Sequence, residues 1–162
     1  MSRKALLVVD MQKKFYSKKT ASMMDTAIRT INLAIEQFRA HGQEVIFIKH
    51  RSRRMGLLDG QSSFELLDTI KQEPSDQLIV KTKGNAFAAT PLADHLAGRK
   101  ISELYVCGFA AEACVNHTYN GGKQKGFAVY KVKDSIGSKS KILLSLFNRI
   151  GRYKRLEEIT FK

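Results

Sequence analysis

The sequence predicts an α/β fold, a doubly wound (Rossmann-like) three-layer sandwich of five or six parallel strands, on three observations. Short apolar runs alternate with amphipathic stretches from one end of the chain to the other, the pattern of strands and crossover helices. The apolar runs are uninterrupted, as strands buried on both faces require. No linker and no internal repeat breaks the 162 residues, so residues 1–162 read as one domain.

The elements follow in order. Ala5 to Asp10 is an apolar run ending in a carboxylate, strand one, and Asp25 to His41 is a helix with apolar residues at Ala27, Ile31, Leu33, Ala34, Ile35 and Phe38, closed by Gly42. Glu44 to Lys49 makes strand two, and Phe64 to Ile70 a short helix. Gln77 to Lys81 makes strand three, followed by a loop and a helix that Pro91 opens at its first turn. Glu103 to Cys107, stopped by Gly108, is strand four; a helix from about Ala113 to Gln124 follows. Phe127 to Val132 is strand five, Ser138 to Ile150 another helix, and Leu156 to Phe161 the sixth strand.

Composition narrows the function classes. No apolar run is long enough to span a bilayer, and Ala5 to Val9 is too short for a signal peptide, so a cytoplasmic protein with no membrane partner is expected. Six residues separate the two cysteines, Cys107 and Cys114, without a zinc-type spacing, which points to free thiols rather than a disulfide or a metal site. Twenty-eight Lys+Arg against fifteen Asp+Glu give a net charge of +13. Counterion release would favour nucleic acid as a partner. The basic residues are scattered, however, and no RNA-binding aromatic motif or zinc finger accompanies them, so a solvated basic surface is the better reading.

In open α/β sheets ligands bind beyond the C-terminal ends of the strands. That rule selects Asp10, Lys49 and His50, Lys81, the stretch Gly108 to Cys114, and Asp134. Cys114 lies at the predicted start of a helix, where free N–H groups and the dipole favour a thiolate and an oxyanion. The apolar approach to Asp10 argues for a partly buried side chain, and burial raises a carboxylate's pKa into a range suited to taking a thiol proton. Lys81 supplies a cation to balance both. Cys107, inside an apolar strand, has no reason to be reactive.

Three blocks carry a resemblance: LLVVDMQKKF from Leu6 to Phe15, VKTKGNAFAATPLADHL from Val80 to Leu96, and VCGFAAEACVNHTYNGGKQKG from Val106 to Gly126. In order and spacing the chain resembles the isochorismatase-like cysteine hydrolases, the superfamily of nicotinamidases, carbamoyl-amide hydrolases and isochorismatase. The resemblance implies strand order 3-2-1-4-5-6 and a catalytic triad of Asp10, Lys81 and Cys114. It also implies a non-proline cis peptide between Phe109 and Ala110 that aims the Ala110 N–H, with that of Cys114, at the substrate oxyanion. Gln12 and Phe15 of the first block, Phe87 of the second, and His50 and Arg51 after strand two are expected to line the substrate pocket.

Departures sharpen the reading. The usual Thr-Asp before the nucleophile is Ala111-Glu112, and Asn85 stands for a usual Ser. The stretch KHRSRR from Lys49 to Arg54 lacks the Asp/His/His cluster that holds metal in nicotinamidases, so no metal and no cofactor are expected. The expected function is a cysteine-nucleophile amidohydrolase that cleaves a C–N bond in a small amide or carbamoyl compound through an acyl-thioester. One of Arg51, Arg53 and Arg54 is expected to read an anionic group on that substrate. A homo-oligomer, dimer or higher, is expected from the resemblance. The alternative is a nucleic-acid or polyanion-binding protein on the same fold with a vestigial triad.

Overall fold

The computed structural model describes residues 3–161. Six strands form one parallel sheet: β1 (Arg3–Val9), β2 (Glu44–His50), β3 (Gln77–Lys81), β4 (Ile101–Gly108), β5 (Ala128–Ile136) and β6 (Tyr153–Lys154). Their order is β3-β2-β1-β4-β5-β6, as expected, and β1 is central with β2 and β4 at its flanks. Helix α1 (Ala21–Ala40) covers one face; α2 (Leu92–Gly98), α3 (Asn116–Gln124) and α4 (Lys141–Phe147) belong to the other. Strand alternation divides β1 between two cores. Leu6 and Val8 pack with Ile31, Ile35 and Phe38 of α1, while Leu7 and Val9 pack with Leu92, Leu96 and Val115. Among the described residues no helix is long and apolar enough to cross a membrane.

Four local expectations are corrected. Helix α1 begins at Ala21, a turn before Asp25. Phe64 to Ile70 is not a helix: a 3₁₀ turn at Ser62–Phe64 gives way to extended chain. Lys13 N–H donates to Glu65 O at 2.8 Å and Leu67 N–H to Met11 O at 2.9 Å, so pairing with the loop after β1 takes the backbone groups a helix would have used. Helix α4 begins at Lys141, where the Ser140 hydroxyl accepts from Leu143 N–H at 3.1 Å and caps it. The sixth strand is only Tyr153–Lys154, and Leu156–Glu158, placed in that strand by sequence, forms a 3₁₀ turn.

A register shift between Val106 and Gly108 lets β5 continue to Ile136, four residues past its expected end at Val132. The sheet therefore delivers Gly137–Lys139, rather than Asp134, to its functional edge. Gly108 itself has φ +115°, and a Cβ there would lie 2.0 Å from Val9 O, so only glycine allows β4 to turn this close to β1.

Beneath β6, Lys131 is 1% exposed, its ammonium 4.9 Å from the Tyr119 ring centroid and 5.4 Å from that of Tyr153. It donates to Ile150 O at 2.9 Å. Burial pulls its pKa down from 10.5 to about 8. Between those values the unfolded chain holds a proton that the folded chain has released, so this site makes unfolding free energy rise with pH, by about 3 kcal/mol in all. Urea unfolding of wild type and Lys131→Met at pH 7.5 and 10.5 should show the gap between them changing by that order; a constant gap would sink the assignment.

Candidate active site

Strands β1, β2 and β3 each end at a residue of one cluster. Asp10 follows β1 directly, with φ +51°, and its N–H donates to Ile48 O at 2.9 Å. Asp is among the few residues that tolerate this left-handed conformation, and it turns the carboxylate inward, where it is 1% exposed. His50 and Lys81 end β2 and β3 and are partners in the register of those strands. Strand three lies two strands from β1, roughly 10 Å at ordinary spacing. The four-carbon stem of Lys81 covers that distance by passing the end of β2.

The ammonium of Lys81 is 2.9 Å from Asp10 Oδ2, 3.1 Å from His50 Nδ1 and 3.2 Å from Cys114 Sγ. The structure thus brings the three residues of the expected triad together, with His50 as a fourth member. Asp10 Oδ1 is buried without a hydrogen-bond partner. Asp10, His50 and Cys114 offer ligand-type atoms within 4.8 Å of one another, the one such group among the described residues. Lys81 already sits within hydrogen-bonding distance of all three, so its own charge fills the position a metal ion would need. Among the described residues no further His, Cys, Asp or Glu extends that group, and with Lys81 at its centre the residues present do not fit a metal.

Cys114 is partly buried in a distorted turn, Ala111–Val115, that precedes α3; Ala113, at φ −130° and ψ −106°, is outside the helical range. The regular helix expected from Ala113 therefore starts only at Asn116. The peptide between Phe109 and Ala110 is cis. Phe109 N–H donates to Val9 O and Ala111 N–H to Gly137 O, each at 2.9 Å, which fixes this corner to β1 and to the end of β5. Glu112, the departure from the usual Asp, accepts from Ser138 Oγ at 2.7 Å and Lys139 N–H at 3.1 Å and so latches the segment after β5 to the nucleophile turn. Behind it, Thr118 Oγ1 accepts from Ala86 N–H at 3.1 Å and ties α3 to the loop after Lys81.

The electrostatics describe a resting thiol. Burial, reinforced by the Asp10 carboxylate, pushes the Cys114 thiol up to about 12 against the opposing pull of Lys81. The thiolate expected from a helix N-terminus is outweighed by desolvation. Burial raises the Asp10 carboxyl above its usual range, with Lys81 opposing, and lowers the half-buried His50 imidazole, with Lys81 reinforcing. Cys107 is fully buried, and burial alone raises its thiol.

Above the cluster opens a cavity of about 170 Å³ lined by Asp10, Phe15, His50, Met55, Phe109, Ala110, Ala113, Cys114 and Lys139. Phe15 stacks on Phe109 with centroids 5.2 Å apart, giving it an aromatic wall. The remaining pocket expectations fall elsewhere. Gln12 is fully buried, its amide donating to His50 O at 3.1 Å and Phe64 O at 2.9 Å and accepting from His50 N–H at 2.8 Å; it braces backbone because every polar atom is so used. Arg51 pairs with Asp59 at 2.7 Å and does not line the cavity, and Arg53 and Arg54 are exposed. Phe87 stacks on Phe127 in the core under α3. His117 is exposed beside Gly84. Sequence reasoning missed Met55 and Lys139. The strand-end rule would have found Lys139 had the end of β5 been read at Ile136.

The isochorismatase domain model matches residues 4–143. The chain is 29% identical over 136 residues to the isochorismatase family protein YrdC of Bacillus subtilis, covering 82% of this chain and 73% of that one. It is 31% identical over 134 residues to a streptothricin hydrolase of Streptomyces noursei, covering 81% of this chain but only 53% of that protein, so it spans about half of it. Among solved structures, an N-carbamoylsarcosine amidase from Thermoplasma acidophilum superposes with a TM-score of 0.84 at 22% identity, over 97% of this chain and 98% of that one, a likeness of fold.

Proposed function

Because the chain belongs to the isochorismatase family of hydrolases, we propose that it is a cysteine amidohydrolase that cleaves the C–N bond of a small amide or carbamoyl compound. The observation that carries this reading is the buried Lys81 ammonium held among Asp10, His50 and Cys114, which line a largely apolar cavity above it. Asp10 takes the thiol proton, and the Cys114 sulfur attacks the amide carbon while the N–H groups of Ala110 and Cys114 hold the oxyanion. The C–N bond breaks, Asp10 returns the proton to the leaving nitrogen, and ammonia or an amine departs. Asp10 then accepts a proton from water, whose oxygen attacks the thioester and releases the acid with the thiol restored. Lys81 keeps the charges of carboxylate and sulfur balanced throughout.

The cavity also bears on the substrate. Lys139 is its exposed cation, and the Glu112 latch fixes the Lys139 backbone above the nucleophile. Lys139, in place of the arginines after β2, is the residue set to meet an anionic group on the substrate. The test is ammonia release over a panel of primary amides, ureides and carbamoyl compounds, each in neutral and carboxylate-bearing forms, with acyl adducts followed by intact mass. Wild type should release ammonia and form an adduct absent from Cys114→Ala. Lys139→Ala should raise KM roughly tenfold for the carboxylate-bearing members only, the effect of one partly exposed charged contact. Silence of wild type across the panel would overturn the hydrolase reading, and an equal effect of Lys139→Ala on both forms would overturn the role of Lys139.

A further inference from the structure

An ammonium has three protons to give, and Lys81 has three acceptors within hydrogen-bond distance, Asp10 Oδ2 at 2.9 Å, His50 Nδ1 at 3.1 Å and Cys114 Sγ at 3.2 Å. None is left for a substrate. A hydrogen bond between Lys81 and His50 also bears on the tautomer of His50. A Lys81 ammonium only donates, so Nδ1 presents its lone pair and the ring proton of the neutral imidazole is on Nε2. The peptide of His50 is in turn clamped on both sides, its N–H donating to Gln12 Oε1 at 2.8 Å and its C=O accepting from Gln12 Nε2 at 3.1 Å. With one ring edge turned in to Lys81 and the backbone fixed, the opposite edge is the one His50 presents to the cavity it lines. Among the described residues no hydrogen bond reaches Nε2.

The floor of the cavity therefore holds one buried acceptor without a donor, Asp10 Oδ1, and one donor without an acceptor, His50 Nε2–H. Proton transfer between thiol, leaving nitrogen and water employs the first. Nothing in that sequence employs the second. We infer that His50 Nε2–H is a specificity contact for the acyl side of the substrate, and that the substrate class is small amides or carbamoyl compounds carrying an acceptor oxygen next to the scissile carbonyl. This rests on the amidohydrolase reading. A hydrogen-bond donor in a cavity with apolar walls discriminates sharply, because a substrate lacking the acceptor leaves it unpaired.

Two variants separate the halves of the imidazole. His50→Asn keeps an acceptor near the place of Nδ1 and lacks the distal donor, whereas His50→Gln puts an amide near the place of Nε2. Methoxyacetamide and butyramide are matched in size and differ by one ether oxygen in place of a methylene. The readout is the ratio of their kcat/KM values within each protein, which cancels any general disturbance of the Lys81 cluster; the rate of Cys114 alkylation by iodoacetamide measures that disturbance separately. Wild type should favour methoxyacetamide, His50→Asn should shrink the ratio roughly tenfold, the range of one such hydrogen bond, and His50→Gln should retain part of it. Long-range ¹H–¹⁵N spectra of wild type should show Nε2 as the protonated nitrogen of His50. If wild type cleaves both amides and His50→Asn keeps the same ratio, this inference falls while the amidohydrolase stands. If wild type cleaves neither amide yet releases ammonia from other members of the panel, the substrate class falls and the amidohydrolase stands; silence over the whole panel overturns both. A proton on Nδ1 removes the structural basis whichever amides are cleaved.

Discussion

Asp10→Asn is expected to lower kcat by about 10²- to 10⁴-fold, the usual worth of a positioned general base. The size of the effect follows from the resting thiol. With its pKa pushed up to about 12, Cys114 is ionised to roughly one part in 10⁵ at neutral pH without help. A carboxamide at position 10 keeps the shape of the side chain and cannot accept the proton. Cys114→Ala removes the attacking atom and is expected to abolish both turnover and the acyl adduct. Residues that act as one unit are far from additive, so the double variant should be no slower than Cys114→Ala alone. The pH dependence carries the same signature. Burial raises the Asp10 carboxyl, so the acid limb of the wild-type kcat profile should sit above the ordinary carboxylate range and be absent from the residual activity of Asp10→Asn. Retention of most activity by Asp10→Asn would remove it from the mechanism.

The second large effect is on stability. Lys81 and Asp10 form an ion pair in which both side chains are at most 1% exposed. Lys81→Met keeps the stem's volume and leaves the carboxylate buried without its cation, which is expected to cost about 3–5 kcal/mol at neutral pH. The sign with pH is definite. Burial already places the folded-state pKa of Asp10 above 3.8, and loss of Lys81 removes the chief influence holding it down. A carboxyl with a raised folded pKa contributes stability that is present below its unfolded pKa and lost as pH rises through its folded pKa. Urea unfolding should therefore show the penalty of Lys81→Met largest at neutral pH and shrinking on acidification toward 4. Adding Asp10→Asn to Lys81→Met should restore much of the loss at neutral pH, since a pair removed together leaves no lone charge. A penalty that is flat with pH would mean that packing, not charge, is what Lys81 supplies.

These effects trace to residues whose positions were readable one by one. Strand ends are legible because a buried parallel strand is a bare apolar run, and the residue that terminates it is where polarity returns; Asp10, His50, Lys81 and Gly108 all stand at such points. Elements held by nonlocal pairing were not legible. Phe64 to Ile70 has the composition of a short helix, yet its backbone pairs with Met11 and Lys13 far away in the chain. The end of β5 was misread because a register shift has no local spelling, and with it went Lys139. Gln12 has the look of a pocket residue, and only the three backbone groups around it make it a brace.

By itself the sequence determined the layered α/β architecture, the strand order through its three motif blocks, and the identity of the residues that meet at the sheet's edge. The architecture and the strand-end residues are matters of periodicity and of which residue ends which run, while the strand order followed from the family resemblance of those blocks. The tertiary structure alone decided how they meet: that Lys81 reaches past the end of β2 to Asp10, that His50 Nδ1 lies within hydrogen-bond distance of it, that burial holds Cys114 as a thiol, and that Lys139 rather than the arginines lines the cavity. Hydrogen-bond partners and desolvation depend on atoms brought together from distant parts of the chain, and no local pattern of residues records them.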